Sequence, residues 1–129
     1  NGKGTIGYAD ESQTKDMTVA SVGENGAFAA PTAADAGKVV AAAPLIAGRA
    51  SGDLALQLDR KASGYPVVLV SYSIACTQYA DAATGSAVKS FLAYVTSSEG
   101  QEAAVATAGN APLPSDLAAK VAAAVGAIK

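Results

Sequence analysis

Cys76 is the only thiol in a chain of 129 residues that contains no histidine. A nucleophilic thiol or hydroxyl needs a base beside it, and that base is most often an imidazole. Neither a Cys–His nor a Ser–His–Asp arrangement can therefore be assembled, and the usual zinc ligand sets are missing as well. A single cysteine also excludes an intramolecular disulfide. Cys76 closes the apolar run Val68-Leu69-Val70-Ser71-Tyr72-Ser73-Ile74-Ala75, so it reads as a buried thiol acting as a small hydrophobe. Asp10-Glu11 is an adjacent carboxylate pair, but it sits in a polar stretch with nothing nearby to complete an acid–base site. The opening Asn1-Gly2-Lys3-Gly4-Thr5 has glycines and a lysine without the spacing or preceding strand of a nucleotide phosphate loop. Lys15, Lys38, Lys89 and Lys120 read as ordinary solvated charges. No catalytic residue, metal ligand or cofactor is expected, and the chain reads as a non-enzyme.

Whatever these residues do, the rest of the chain has to position them. Half of the residues are apolar and 16% are charged, which favours a folded chain over a disordered one. The apolar content is mostly Ala and Val, so a few larger side chains must anchor the core: Leu54, Leu56, Leu58, Val68, Val70, Tyr72, Ile74, Phe91, Leu92 and Val95. Net charge is −2 with no run of either sign, which argues against a nucleic-acid partner. The longest apolar stretch, Pro66 to Cys76, is shorter than the ~20 residues a membrane span needs. The chain starts without a Met, a signal peptide or a lipobox-like segment, and reads as part of a longer protein.

Periodicity divides the chain into strands and helices. Thr5–Ala9 is β-prone, Asp10–Asp16 is a turn or brief helix, and Met17–Val22 alternates as a strand that closes at Gly23-Glu24-Asn25-Gly26. Thr32 caps a helix with Asp35 in its first turn and an Ala36, Val39, Val40, Ala43 stripe, ended by Pro44 or Gly48. Leu54, Leu56 and Leu58 alternate in a strand over 53–59, and 64–76 carries the strongest strand signal. Its first half is apolar on both faces and its second half is not, as expected for a strand passing from one core to another. Val88, Phe91, Leu92 and Val95 form the stripe of a helix starting near Thr84. Ser98-Glu99-Gly100 interrupts it, and an Ala-rich helix resumes over Gln101–Ala108. Ala111-Pro112-Leu113-Pro114 is an extended linker, and Ser115 caps a last helix with Leu117, Val121 and Val125 on its inner face. Strands mixed with covering helices indicate an α/β architecture.

Five segments then carry a resemblance. Gly4-Thr5-Ile6-Gly7-Tyr8 resembles the Gly-Ala-Ile-Gly-Tyr segment of phosphate-binding proteins, and Ala30-Pro31-Thr32-Ala33 resembles their Pro-Thr helix start. Gly64-Tyr65-Pro66-Val67-Val68-Leu69-Val70-Ser71-Tyr72 is similar to their Tyr/Trp-Pro-Ile strand. Val88-Lys89-Ser90-Phe91-Leu92-Ala93-Tyr94-Val95 with Ser98-Glu99-Gly100-Gln101 resembles their Lys-x-Phe-Leu-x-Trp…Glu-Gly-Gln helix pair. Ala111-Pro112-Leu113-Pro114-Ser115 matches their Ala-Pro-Leu-Pro signature. Tyr65 and Tyr94 stand where the family has Trp. The five occur in the family's order over nearly the whole chain.

The resemblance implies the two-lobed, Venus-flytrap fold of type II periplasmic binding proteins, of which this chain is the C-terminal segment. Residues 1–70 would end the second lobe, and residues 71–129 would form the C-terminal part of the first. A hinge strand near 66–76 would pivot at Val70, Ser71 and Tyr72. The family captures inorganic phosphate outside the membrane and delivers it to the permease subunits of an ABC transporter, as a periplasmic protein or a surface lipoprotein. Its Arg-x-x-x-Ser-Gly-Thr anion-binding segment precedes the Gly-Ala-Ile-Gly-Tyr segment, and neither Arg49 nor Arg60 is followed by Ser-Gly-Thr. No ligand-binding residue is therefore expected in this chain; Ser71 and Ser73, hydroxyls near the hinge, are the candidates to inspect. The alternatives are a receptor for another tetrahedral oxyanion, sulfate or molybdate, and an enzyme built on the same fold. The helices over 84–108 and 115–127 would cover a sheet completed from elsewhere, and their uncovered apolar stripes favour self-association.

Overall fold

The computed structural model describes residues 3–129, so Asn1 and Gly2 of the glycine-rich opening lie outside the described residues. A 3₁₀ turn at Glu11–Gln13 comes first. A hairpin of β1 (Val22–Glu24) and β2 (Ala27–Ala29) follows, and then four helices: α1 (Ala33–Ala42), α2 (Ala82–Val95), α3 (Ser98–Ala108) and α4 (Ser115–Gly126). The architecture mixes helices with little paired strand.

The hairpin forms where the chain supplies its own partner. Asn25 and Gly26 both take positive φ, 54° and 82°, as a two-residue turn with matching twist requires. The turn sets the register Val22↔Ala29, Gly23↔Phe28, Glu24↔Ala27. The expected strand over Met17–Val22 is thereby displaced: only Val22 of it is paired. Thr5–Ala9 forms no strand either. Of the expected strand over 53–59, only an isolated antiparallel bridge between Leu45 and Leu56 forms, with Ile46 N–H donating to Ala55 O and Gln57 N–H to Pro44 O. The segment 66–76 is extended and unpaired. Its alternation favours a pleated backbone, but a strand is stable only when neighbours satisfy its N–H and C=O groups. Among the described residues no backbone–backbone hydrogen bond reaches it.

The helices follow local signals. Thr32 caps α1 by accepting from Asp35 N–H, as expected. Asp81 caps α2 three residues earlier than the expected start, accepting from the N–H groups of Ala83 and Thr84. Ser97 caps α3 by accepting from Gly100 N–H. Ser115 is not a cap. It is the first residue of α4, behind Pro114, and no side chain caps that helix.

Burial is sparse and falls in two places. Leu92, Val125 and Ile128 form a cluster, with Ala75, Tyr79, Val88 and Val121 packed against it. Separately, Val39 on α1 is fully buried, and Gly64 approaches that helix so closely that a Cβ there would run into Asp35 O. Gly64 also needs its positive φ of 119°, so glycine is required there on two counts. Of the expected anchors only Leu92 is buried; Tyr72, Ile74 and Phe91 are exposed. Cys76 is exposed rather than buried, because the unpaired segment that carries it has no layer on that side.

Candidate functional site

The extended segment 66–76 is the stretch in which the candidate residues Val70, Ser71, Tyr72 and Ser73 lie, and its anchors are side chains rather than strands. Upstream, Tyr65 N–H donates to Asp35 O at 3.1 Å. Arg60 Nη1 donates to both Pro66 O and Val68 O at 2.7 Å. Leu56 N–H donates to the Tyr72 hydroxyl at 3.0 Å. Downstream, Cys76 N–H donates to the Tyr79 hydroxyl at 3.2 Å. Lys129 N–H donates to Thr77 O at 3.0 Å, and Tyr79 N–H donates to Lys129 O at 2.9 Å. The last residue is thus stitched to the end of the extended segment.

Ser71 and Ser73 part company. Ser73 lines an open concavity of about 520 Å³ with Ile74, Ala75, Tyr79, Ala87, Val88, Phe91 and Leu92, and Ser71 does not. The lining is mainly apolar, with the Ser73 and Tyr79 hydroxyls its side-chain polar groups and no charged side chain. Both serines are exposed.

Acids stand where an anion would ordinarily be held. A helix N-terminus attracts anions through its unpaired N–H groups and its dipole. Each of the four α-helices has an acid of its own there: Asp35 in the first turn of α1, Asp81 capping α2, Glu99 in the first turn of α3 and Asp116 in the first turn of α4. Thr84 and the backbone around it hold the Asp81 carboxyl below its usual value. Lys38, and after it Thr32, do the same for Asp35.

Lys38, both arginines and Lys89 are similarly engaged. Arg49 Nε donates to Asp53 Oδ2 at 2.7 Å, with Nη2 also 2.7 Å from that oxygen; the pairing raises the arginine's pKa and lowers the carboxyl's. Arg60 is committed to backbone carbonyls. Lys89 is not a free solvated charge, because its Nζ donates to Gly126 O at 2.6 Å and to Ile128 O at 3.2 Å. Among the described residues no cluster of three or more His, Cys, Asp or Glu side chains could hold a metal ion. No described helix is long and apolar enough to cross a membrane.

Sequence reasoning gave no role to Tyr79 or Gln101 and misread Lys89 as a solvated charge. Gln101 Nε2 donates to Val95 O at 2.8 Å, and its Oε1 accepts from Leu113 N–H at 3.0 Å. It thereby ties the end of α2 to the Pro-rich linker before α4. Its place in Glu99-Gly100-Gln101 and that of Leu113 in Ala-Pro-Leu-Pro were the available signals.

No family model and no solved structure matches the chain. Curated proteins do. Phosphate-binding protein PstS2 of Mycobacterium bovis is 47% identical over 64 residues, covering 50% of this chain and 17% of that protein. Phosphate-binding protein PstS 3 of Mycobacterium tuberculosis is 33% identical over 137 aligned positions, covering 99% of this chain and 36% of that protein. The chain is therefore similar, along nearly all its length, to part of proteins named for binding phosphate, and it spans about a third or less of them.

Proposed function

We propose that this chain is the C-terminal segment of the substrate-binding component of a phosphate ABC transporter. In that reading the whole protein captures inorganic phosphate outside the membrane, as a periplasmic or lipid-anchored receptor, and presents it to permease subunits. Similarity to phosphate-binding proteins over 99% of the chain is the observation that carries it. The same relatives are named as binding proteins, which weighs against an enzyme on this fold and against sulfate or molybdate as the preferred anion.

The segment contributes scaffold rather than anion ligands. The engaged arginines and the acid that stands at or near each α-helix N-terminus support that division of labour, as does the absence of any Arg-x-x-x-Ser-Gly-Thr segment. Residues 1–70 belong to the second lobe and 71–129 to the first, with the extended segment crossing between them. The exposed apolar side chains along it, Leu69 at 91% and Ile74 at 97%, suit a strand whose neighbours come from the rest of a two-lobed receptor. The chain by itself then self-associates through these uncovered surfaces.

The test is calorimetric titration of phosphate into a protein that carries this segment together with the remaining length of its relatives, with sulfate as competitor. Tight phosphate binding that sulfate does not displace is expected. Preferential binding of sulfate, or of neither anion, would overturn the assignment.

A further inference from the structure

We infer that residues 126–129 are a strap held down on α2, and that Lys89 is its catch. Helix α4 ends at Gly126, its last carbonyls lie beyond reach of its own N–H groups, and no basic residue stands in its last turn. Lys89, on α2, supplies the missing cation: its Nζ donates to Gly126 O at 2.6 Å and to Ile128 O at 3.2 Å. A lysine placed so bonds the orphaned carbonyls and offsets the negative end of the helix dipole. Here it does both from another helix. Further along, the chain lies over the N-terminal part of α2, where Gly85 leaves it room: a Cβ at Gly85 would stand 2.8 Å from both C and O of Lys129. Lys129 N–H donates to Thr77 O at 3.0 Å and Lys129 O accepts from Tyr79 N–H at 2.9 Å, as a residue bonds across a parallel strand pair. Between these ties Ile128 is buried, in the cluster with Leu92 and Val125.

Gly85, Val88, Lys89 and Leu92 fall at i, i+3, i+4 and i+7, so one face of α2 carries the gap, the apolar seat and the catch. Ala75, Tyr79, Val88 and Leu92 also line the open concavity beside α2. The strap therefore backs that concavity on its inner side, and lifting it extends the concavity into an apolar groove along α2. Without the Lys89 ammonium, Gly126 O and Ile128 O lose the partner shown for them, and the strap is left with Ile128 and its two backbone bonds. The device rests on contacts within residues 75–129 and goes beyond the receptor reading.

Amide hydrogen exchange on the 129-residue chain tests the strap by two routes. Lys89→Met keeps most of the aliphatic stem and removes the ammonium. Exchange at Tyr79 and Lys129 N–H should accelerate about tenfold or more, the scale of one hydrogen bond to a charged group, while the amides of α2 stay protected. Gly85→Ala should do the same. Helix propensity alone says the opposite, since alanine in place of an interior glycine favours the helix. The sign of this change thus separates obstruction of the strap from an effect on α2. Gly126→Ala, where an added Cβ meets nothing within 4 Å, should leave both amides as they were. Release should also raise the fluorescence of the apolar dye ANS above that of the unaltered chain as the groove opens. Unchanged exchange at Tyr79 and Lys129 in either variant, protection lost throughout α2 and α4 together with the strap, or an ANS signal that does not rise would overturn the proposal. Phosphate takes no part in these measurements, so their failure leaves the anion assignment standing, and the reverse also holds.

Discussion

The two sides of the extended segment 66–76 are built differently. Downstream, α2 and α4 close a small apolar cluster around Leu92, Val125 and Ile128, and α2 contacts α3 as well. Polar ties reinforce it: Lys89 binds carbonyls at the end of α4, Gln101 joins α2 to the linker, and Lys129 pairs with Thr77 and Tyr79. Upstream, Val39 is the fully buried side chain, and the loops around α1 are held by exposed hydrogen bonds and the Arg49–Asp53 pair. Exposed pairs of that kind add little stability. The difference separates what a segment can encode alone from what needs a neighbour. Helices satisfy their own backbone and need one apolar stripe covered, whereas strands must borrow partners.

Substitutions placed on either side should act on that side alone. The largest effect is expected for Leu92→Ala, which opens the downstream cluster and should cost about 2–4 kcal/mol. Urea unfolding followed by circular dichroism should show loss of the helical signal of α2–α4. If the upstream hairpin and α1 melted with it, the two sides would be one cooperative unit. Val39→Ala should cost less, roughly 2 kcal/mol for two buried methyls. Hydrogen exchange should then accelerate in α1 and leave α4 unaffected. Gln101→Ala removes two partly buried hydrogen bonds and should cost on the order of 1–2 kcal/mol. Its effect should appear as faster exchange at Leu113 N–H.

The smallest effect is a pH dependence of α2. The folded-state pKa of Asp81 lies below its ordinary value of 3.8, so the unfolded chain takes up its proton first as pH falls. The stability Asp81 contributes is present above about pH 4 and is lost as pH drops through the folded value. Asp81→Ala should remove that dependence, read as the difference between two acid-unfolding curves. Two superimposable curves would show that the cap is silent.

Much of the downstream side was legible in the sequence. Side chains three and four apart share a helix surface, and of the expected Val88, Phe91, Leu92, Val95 and Leu117, Val121, Val125 stripes, Val88, Leu92, Val121 and Val125 meet in the cluster while Phe91 is exposed. Thr32 with Asp35 announced α1 for the same local reason. Helix starts were missed where a cap stood behind weak neighbours. Asp81 precedes two alanines, and Ser115 follows a proline that takes the N-cap position and leaves the serine as the first helical residue. The strand over 66–76 was misjudged in a different way, since its alternation is real but its pairing depends on groups far away in sequence. Long-range clamps left no local trace. Lys89 reaches carbonyls 37 and 39 residues away, and the Tyr72 hydroxyl meets Leu56 across 16 residues. Of the two serines near the expected hinge, nothing in the sequence distinguished Ser73, which lines the concavity beside α2, from Ser71, which does not.

Titration of inorganic phosphate into the folded 129-residue chain, with its helical content verified beforehand, bears most directly on the proposal that this segment is receptor scaffold without the anion site. Heats indistinguishable from dilution are predicted, because each α-helix N-terminus carries its own acid and both arginines are engaged. A saturable one-to-one isotherm would contradict it and place an anion site within these residues.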